Sequence, residues 1–168
     1  MRSSAVPLLL LVLVGTASFV LFSGQSLPPV AASHFAAGGN ADSFMPRNEY
    51  LVLMASISVG TLLLLALCSG LLRFVPPSMV NLPNRDYWLA PERKEKTYAF
   101  LRNHGIYLSV LVALFLCFIH WVVLQANAVE PPQLSLPLFV SGSAGFLIAV
   151  GIWIAVLFAH FVRRPPGG

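Results

Sequence analysis

The sequence predicts an all-α fold, a polytopic membrane protein whose 168 residues form one domain of four transmembrane helices with both termini cytoplasmic. Three observations predict it. The chain is 57% hydrophobic and only 10% charged, against about 25% charged in an average soluble protein. Its apolar residues gather in four runs, 6–24, 50–72, 105–127 and 138–162, each close to the roughly 20 residues that cross a hydrocarbon core as helix. The basic residues are segregated between the intervening segments. Arg73, Arg85, Arg93, Lys94, Lys96 and Arg102 share the loop 73–104, Arg2 precedes the first run and Arg163 and Arg164 follow the last, while Arg47 alone lies in an alternate loop. Lys and Arg are enriched on the cytoplasmic side of membrane proteins, so that loop and both termini are placed inside.

The first run, from Val6 to Gly24, reads as a retained helix. Arg2 and the small residues Ser23 and Gly24 mimic a signal peptide, but the run is long for one and lacks an AxA cleavage pattern. In the loop that follows, Pro28-Pro29 ends any helix and Gly38-Gly39-Asn40 supplies a reversal, which sets His34 and Asp42 on opposite arms of a turn. Imidazole and carboxylate so placed can share a hydrogen bond or a cation. The plainer reading makes Asp42 or Ser43 a helix cap with Pro46 in the first turn, and His34 a solvated loop residue. The second run opens on Tyr50, an interfacial residue type, and carries Ser56/Gly60 and Ala66/Gly70 at the spacing that lets membrane helices approach closely.

In the loop 73–104, Pro76, Pro77 and Pro83 forbid regular helix up to Ala90, and Asn84-Arg85-Asp86 forms a turn. Met79, Val80, Leu82, Tyr87, Trp88 and Leu89 are too apolar for a free linker and are expected at the headgroup level. From Pro91 the segment reads as a helix leading towards the third run, with a bend expected at Gly105. Within the third run, Ser109, Ala113, Cys117, His120 and Asn127 fall on one stripe at 100° per residue, and that stripe should face other helices. His120 is an ionisable side chain within a span, a class of residue that marks function by default, although a neutral histidine bonded to a carbonyl or serine is the commoner outcome. The fourth run has small residues along its length, Ser141, Ala144, Gly145, Gly151, Ala155 and Ala159, and that face is expected against another helix.

Leu27-Pro28, Val30, His34-Phe35, Gly39 and Asp42 resemble the LP..V..HF...G..D pattern of a bacterial membrane domain of unknown function that also stands at the N-terminus of Sdp-type immunity proteins. The run from Asn81 to Leu89, NLPNRDYWL, is similar to the stretch after the second helix in small members. The matched pieces span roughly residues 9 to 95, with Ala36 where members often carry Asn, and the further helices of the immunity proteins have no counterpart. The resemblance implies a multi-pass protein of the bacterial inner membrane.

Composition and motifs narrow the function. The basic residues adjoin apolar spans and are interleaved with Glu92 and Glu95, so their expected partner is the lipid bilayer and not nucleic acid. Cys68 and Cys117 are single residues in different spans and make no redox motif. No catalytic, cofactor or metal set is predicted. The reading is a non-enzymatic accessory, sensor or immunity-like protein, with a candidate outer site of His34, Asp42 and His120. A candidate cytoplasmic surface for a membrane or cytoplasmic protein partner comprises Asn81, Pro83, Asn84, Arg85, Asp86, Tyr87 and Trp88. The alternatives are a haem-binding redox protein, with His104 and His160 as axial couple, and a metal-dependent membrane enzyme using His34, Asp42 and His120.

Overall fold

The structure, a computed structural model, describes residues 5–163; Arg2 and Arg164 lie outside the described residues. Four long apolar helices cross end to end: α1 (Ala5–Ser23), α2 (Arg47–Leu71), α4 (Lys94–Asn127) and α5 (Leu136–Val162), with a short helix α3 (Arg85–Trp88) in the loop before α4. The chain is an integral membrane protein. The four apolar runs lie largely within these helices, α4 starting already at Lys94 inside the segment read as loop, because a run that cannot be hydrated must satisfy its backbone internally, and a helix does so within the segment.

One departure from an all-α fold occurs at the loop after α1. Strands β1 (Val30–Phe35) and β2 (Ala41–Pro46) pair antiparallel around the Gly38-Gly39-Asn40 reversal, with irregular register on either side of His34. Gly39 has φ +84°, and a Cβ there would stand 2.6 Å from the Leu134 carbonyl oxygen, so both the backbone conformation and the close approach require glycine. The Leu134 N–H donates to the Gly39 carbonyl at 2.8 Å, tying the hairpin tip to the loop between α4 and α5. Pro46 precedes the first turn of α2, whereas Asp42 sits within β2 and caps no helix.

Helix α4 is the centre of the bundle, packing against α1, α2 and α5. It runs unbroken for 34 residues through Gly105, so the expected bend is absent. Gly105 is instead the point of closest approach to α2, since any Cβ would strike the Ser69 side chain. The predicted stripe is realised: Ser109, Ala113 and His120 are buried, and Asn127 reaches the hairpin. From α1, Thr16 and Val20 are buried between α2 and α4. Helix α5 is peripheral. Phe161 is its one buried residue, and Gly142 rather than Gly145 abuts α4, through Phe118. Ser141, Gly145 and Ala155 are exposed, which corrects the expectation that this face packs against another helix of the chain. Helical periodicity tells which residues share a face, and here the bulky neighbours Phe115 and Phe146, stacked at 4.1 Å, decide which face touches.

The two ends of the bundle differ. Tyr50, Leu51, Met54, Val20, Leu27, Ala31 and Val123 form an apolar core under the hairpin, while Val80, Leu89 and Tyr98 form a smaller one under the loop before α4. Among the described residues Arg47 alone of the basic side chains stands at the hairpin end; the others are at the opposite, basic end.

Candidate functional site

At the hairpin end two polar constellations are built on different elements. In the hairpin, His34 Nδ1 and Asp42 Oδ1 lie 2.5 Å apart, joined across the strand pair as the turn composition predicts. Asp42 accepts the Nδ1 proton, so the Nε2 edge of the ring is the one this bond leaves open. The side chains are 71% and 44% exposed, and an ion pair in that setting adds no more than about 1 kcal/mol to stability. A pair so placed is therefore available for recognition at little cost to the fold.

The hairpin is held down on the helix ends by a second side chain. Asn127, the last residue of α4, accepts the Ala32 N–H at 2.7 Å and donates to the Ala32 carbonyl at 3.0 Å, completing the open edge of β1 much as another strand would. Arg47 donates to the Gln25 and Leu27 carbonyls at 3.1 and 3.2 Å and secures the chain leaving α1. Beneath the docked hairpin lies a cavity of about 420 Å³ between β1, α4 and α5. His34 and Ser33 supply its polar edge, and Ile119, Val122, Phe139 and Val140 its apolar wall.

His120 does not join His34 and Asp42. Its ring is fully buried among α1, α2 and α4, with Nδ1 3.0 Å from the Tyr50 hydroxyl and Nε2 3.1 Å from Ser23 Oγ. Ser23 donates its own hydrogen to the Phe19 carbonyl at 2.5 Å, so its oxygen accepts from Nε2–H and Nδ1 accepts from Tyr50. Every donor in that chain is used by a neutral ring. Tyr50 stacks on the imidazole and Phe19 meets it edge-on, both with centroids 5.7 Å away. Among the described residues no group of three His, Cys, Asp or Glu side chains is placed to hold an ion. Sequence reasoning missed Tyr50 and Ser23 as partners, reading one as an interfacial anchor and the other as a small residue near a cleavage-like site; a single hydroxyl at each helix end was the available signal.

At the basic end, the Asn81–Leu89 segment turns inward. Asn84 adopts φ 52° and donates to the carbonyls of Phe161 and Val162 at 3.1 and 3.2 Å, and Trp88 Nε1 donates to the Phe161 carbonyl at 2.9 Å. These carbonyls end α5 and have no partner within the helix, so Asn84 and Trp88 act as its C-terminal cap. Arg85 donates to the Ser78 carbonyl at 3.1 Å and to Asp86 at 3.2 Å. Of the expected partner surface, Asn81, Arg85 and Asp86 remain exposed, while Pro83, Asn84, Tyr87 and Trp88 are partly covered. Asn84→Ala should lower stability by about 2 kcal/mol, combining a left-handed backbone penalty with the lost cap, and Asn84→Gly by about 1. Thermal melting of the two variants in detergent checks this, and equal losses would deny the backbone contribution.

The remaining histidines have structural partners. His104 Nε2 donates to the Trp153 carbonyl at 3.1 Å while Trp153 Nε1 donates to the His104 carbonyl at 3.0 Å, a reciprocal clasp between α4 and α5. Phe100 stacks on His104 at 5.5 Å and on His160 at 3.8 Å. Its ring occupies the space that a porphyrin between those two imidazoles would need. No family model, curated protein or solved structure matches the chain.

Proposed function

We propose that this chain is a non-enzymatic, multi-pass protein of the bacterial inner membrane, of accessory, sensor or immunity-like type, that recognises an apolar or amphipathic ligand on the outer face. The observation that carries the reading is the docked hairpin, with His34, bonded to Asp42, at the edge of the cavity of about 420 Å³. A donor or acceptor on the ligand meets the His34 ring edge while its apolar part enters between Val122, Phe139 and Val140. The resemblance of Leu27 to Asp42 to the domain found in Sdp-type immunity proteins supports the same end of the molecule as the site. The four helices are free of carboxylates along their apolar runs 6–24, 50–72, 105–127 and 138–162, which favours a binding role over a proton or ion pathway.

The test is site-specific photocrosslinking from Val140 in cells, expected to capture a ligand that His34→Ala fails to capture; capture unaffected by that substitution would remove the pair from the site. A visible spectrum and elemental analysis of the purified protein should show neither a Soret band nor stoichiometric zinc, and either signal would replace this reading with the haem or the metal alternative.

The basic end is assigned to the cytoplasm, together with both termini, because Arg73, Arg85, Arg93, Lys94, Lys96, Arg102 and Arg163 are gathered there. Ser78→Cys should therefore resist a membrane-impermeant thiol reagent in intact cells and react after lysis. Labelling from outside would invert the topology and move the hairpin to the cytoplasm.

A further inference from the structure

We infer that the basic end carries a binding site for the phosphate ester of an anionic phospholipid, held by Arg93 and Lys96 against an aromatic wall of Trp88, Phe100 and His160. The site is a cavity of about 340 Å³ where the N-terminal turn of α4 meets the C-terminal turn of α5. Its chemistry follows from three features. Arg93 is stacked with its guanidinium carbon 4.0 Å from the Tyr87 ring centre; stacking uses the face of the group and leaves its in-plane N–H fork for an oxyanion. Among the described residues neither Arg93 nor Lys96 is paired with a carboxylate, and no acidic side chain lines the cavity. Glu95, the acid nearest in sequence to Lys96, faces a separate cavity with Arg73 and Arg102. The exposed Glu92, beside Arg93 in the chain, does not line the cavity either, so its two cations face a space that holds no carboxylate.

The wall opposite the cations decides between a lipid and a soluble phosphate. His160 is sandwiched, with ring centroids 3.8 Å from Phe100 and 5.1 Å from Trp88. Trp88 is pinned by its own bond to the Phe161 carbonyl and by the Thr97 hydroxyl, which donates to the Trp88 carbonyl at 2.8 Å. His160 belongs to the last turn of α5 and Phe100 lies near the start of α4, so with Trp88 of α3 they place this rigid aromatic surface at the ends of two membrane-spanning helices, at the depth where aromatic rings meet headgroups and glycerol esters. A diester headgroup can place its phosphate on Arg93 and Lys96 while its glycerol lies on the rings. A free phosphate ester gains nothing from that wall.

Native mass spectrometry of the full chain, released from mixed micelles with equal parts phosphatidylglycerol and phosphatidylcholine, tests the site. The parent should retain phosphatidylglycerol with about tenfold preference, and Arg93→Gln combined with Lys96→Gln should bring the two lipids to parity. Arg73→Gln, at the same end but outside the cavity, should keep the preference. Glycerol 3-phosphate in excess should not displace the lipid; displacement would assign the site to a soluble phosphate ester and overturn the lipid source. A parent without preference, or a double variant that keeps it, overturns the site itself. Should the double variant fail to melt cooperatively, Lys96→Gln alone, an exposed change that touches no packing, should reduce the preference about threefold, and an unchanged preference there counts against the proposal equally.

Discussion

His120→Ala should lower the stability of the protein by about 3 kcal/mol, because it empties a fully buried position between three helices. Two effects contribute and their sizes differ. The hydrogen bonds to Tyr50 and Ser23 are each worth about 0.6 kcal/mol in a bilayer, since an unfolded helix in lipid also finds polar partners. The lost ring volume and the contacts with Phe19 and Tyr50 account for the larger share, at the scale of a buried large-to-alanine change. Tyr50→Phe removes one bond and keeps the ring, so it should cost only about 0.6 kcal/mol. Thermal or denaturant melting of both variants in the same detergent separates the contributions. If Tyr50→Phe is as damaging as His120→Ala, hydrogen bonding and not packing holds the three helices together. Nitrogen NMR of the labelled ring should find the proton on Nε2, because Ser23 has already given its hydrogen to Phe19.

That network also marks where a sequence reading stops. The four runs and the stripe on the third were legible because hydrophobic length and helical period are properties of one segment. The stripe even placed His120 inside the bundle. Its partners lie 70 and 97 residues away on two other helices, and no local pattern encodes that meeting. The hairpin was half legible: Gly38-Gly39-Asn40 announced the reversal and paired His34 with Asp42, but β1 is secured by Asn127 from the far end of α4. The apolar and aromatic residues of the NLPNRDYWL run are what a partner-facing surface would carry. Asn84 and Trp88 instead find theirs in the chain's own last helix, where two unpaired carbonyls needed donors.

His34→Ala and Asp42→Ala should each abolish the phenotype that depends on the protein while leaving it in the membrane at the parental level. The energetics make this a separable test. An exposed pair contributes no more than about 1 kcal/mol, and the anchors of the hairpin, the Asn127–Ala32 bonds and the Gly39–Leu134 bond, do not pass through either side chain. Loss of both proteins from the membrane would therefore show the pair to be structural. Full activity in both variants would detach function from the hairpin. Asp42→Asn distinguishes the role of the carboxylate further: an amide can still accept the Nδ1 proton and orient the ring, but it carries no charge. Partial activity in Asp42→Asn beside none in Asp42→Ala would identify orientation of His34 as what Asp42 provides. Equal loss in both would mean that the ligand meets the charge itself, and the apolar cavity beneath Ser33 and His34 would then have to admit a cationic or donor-rich group at its edge.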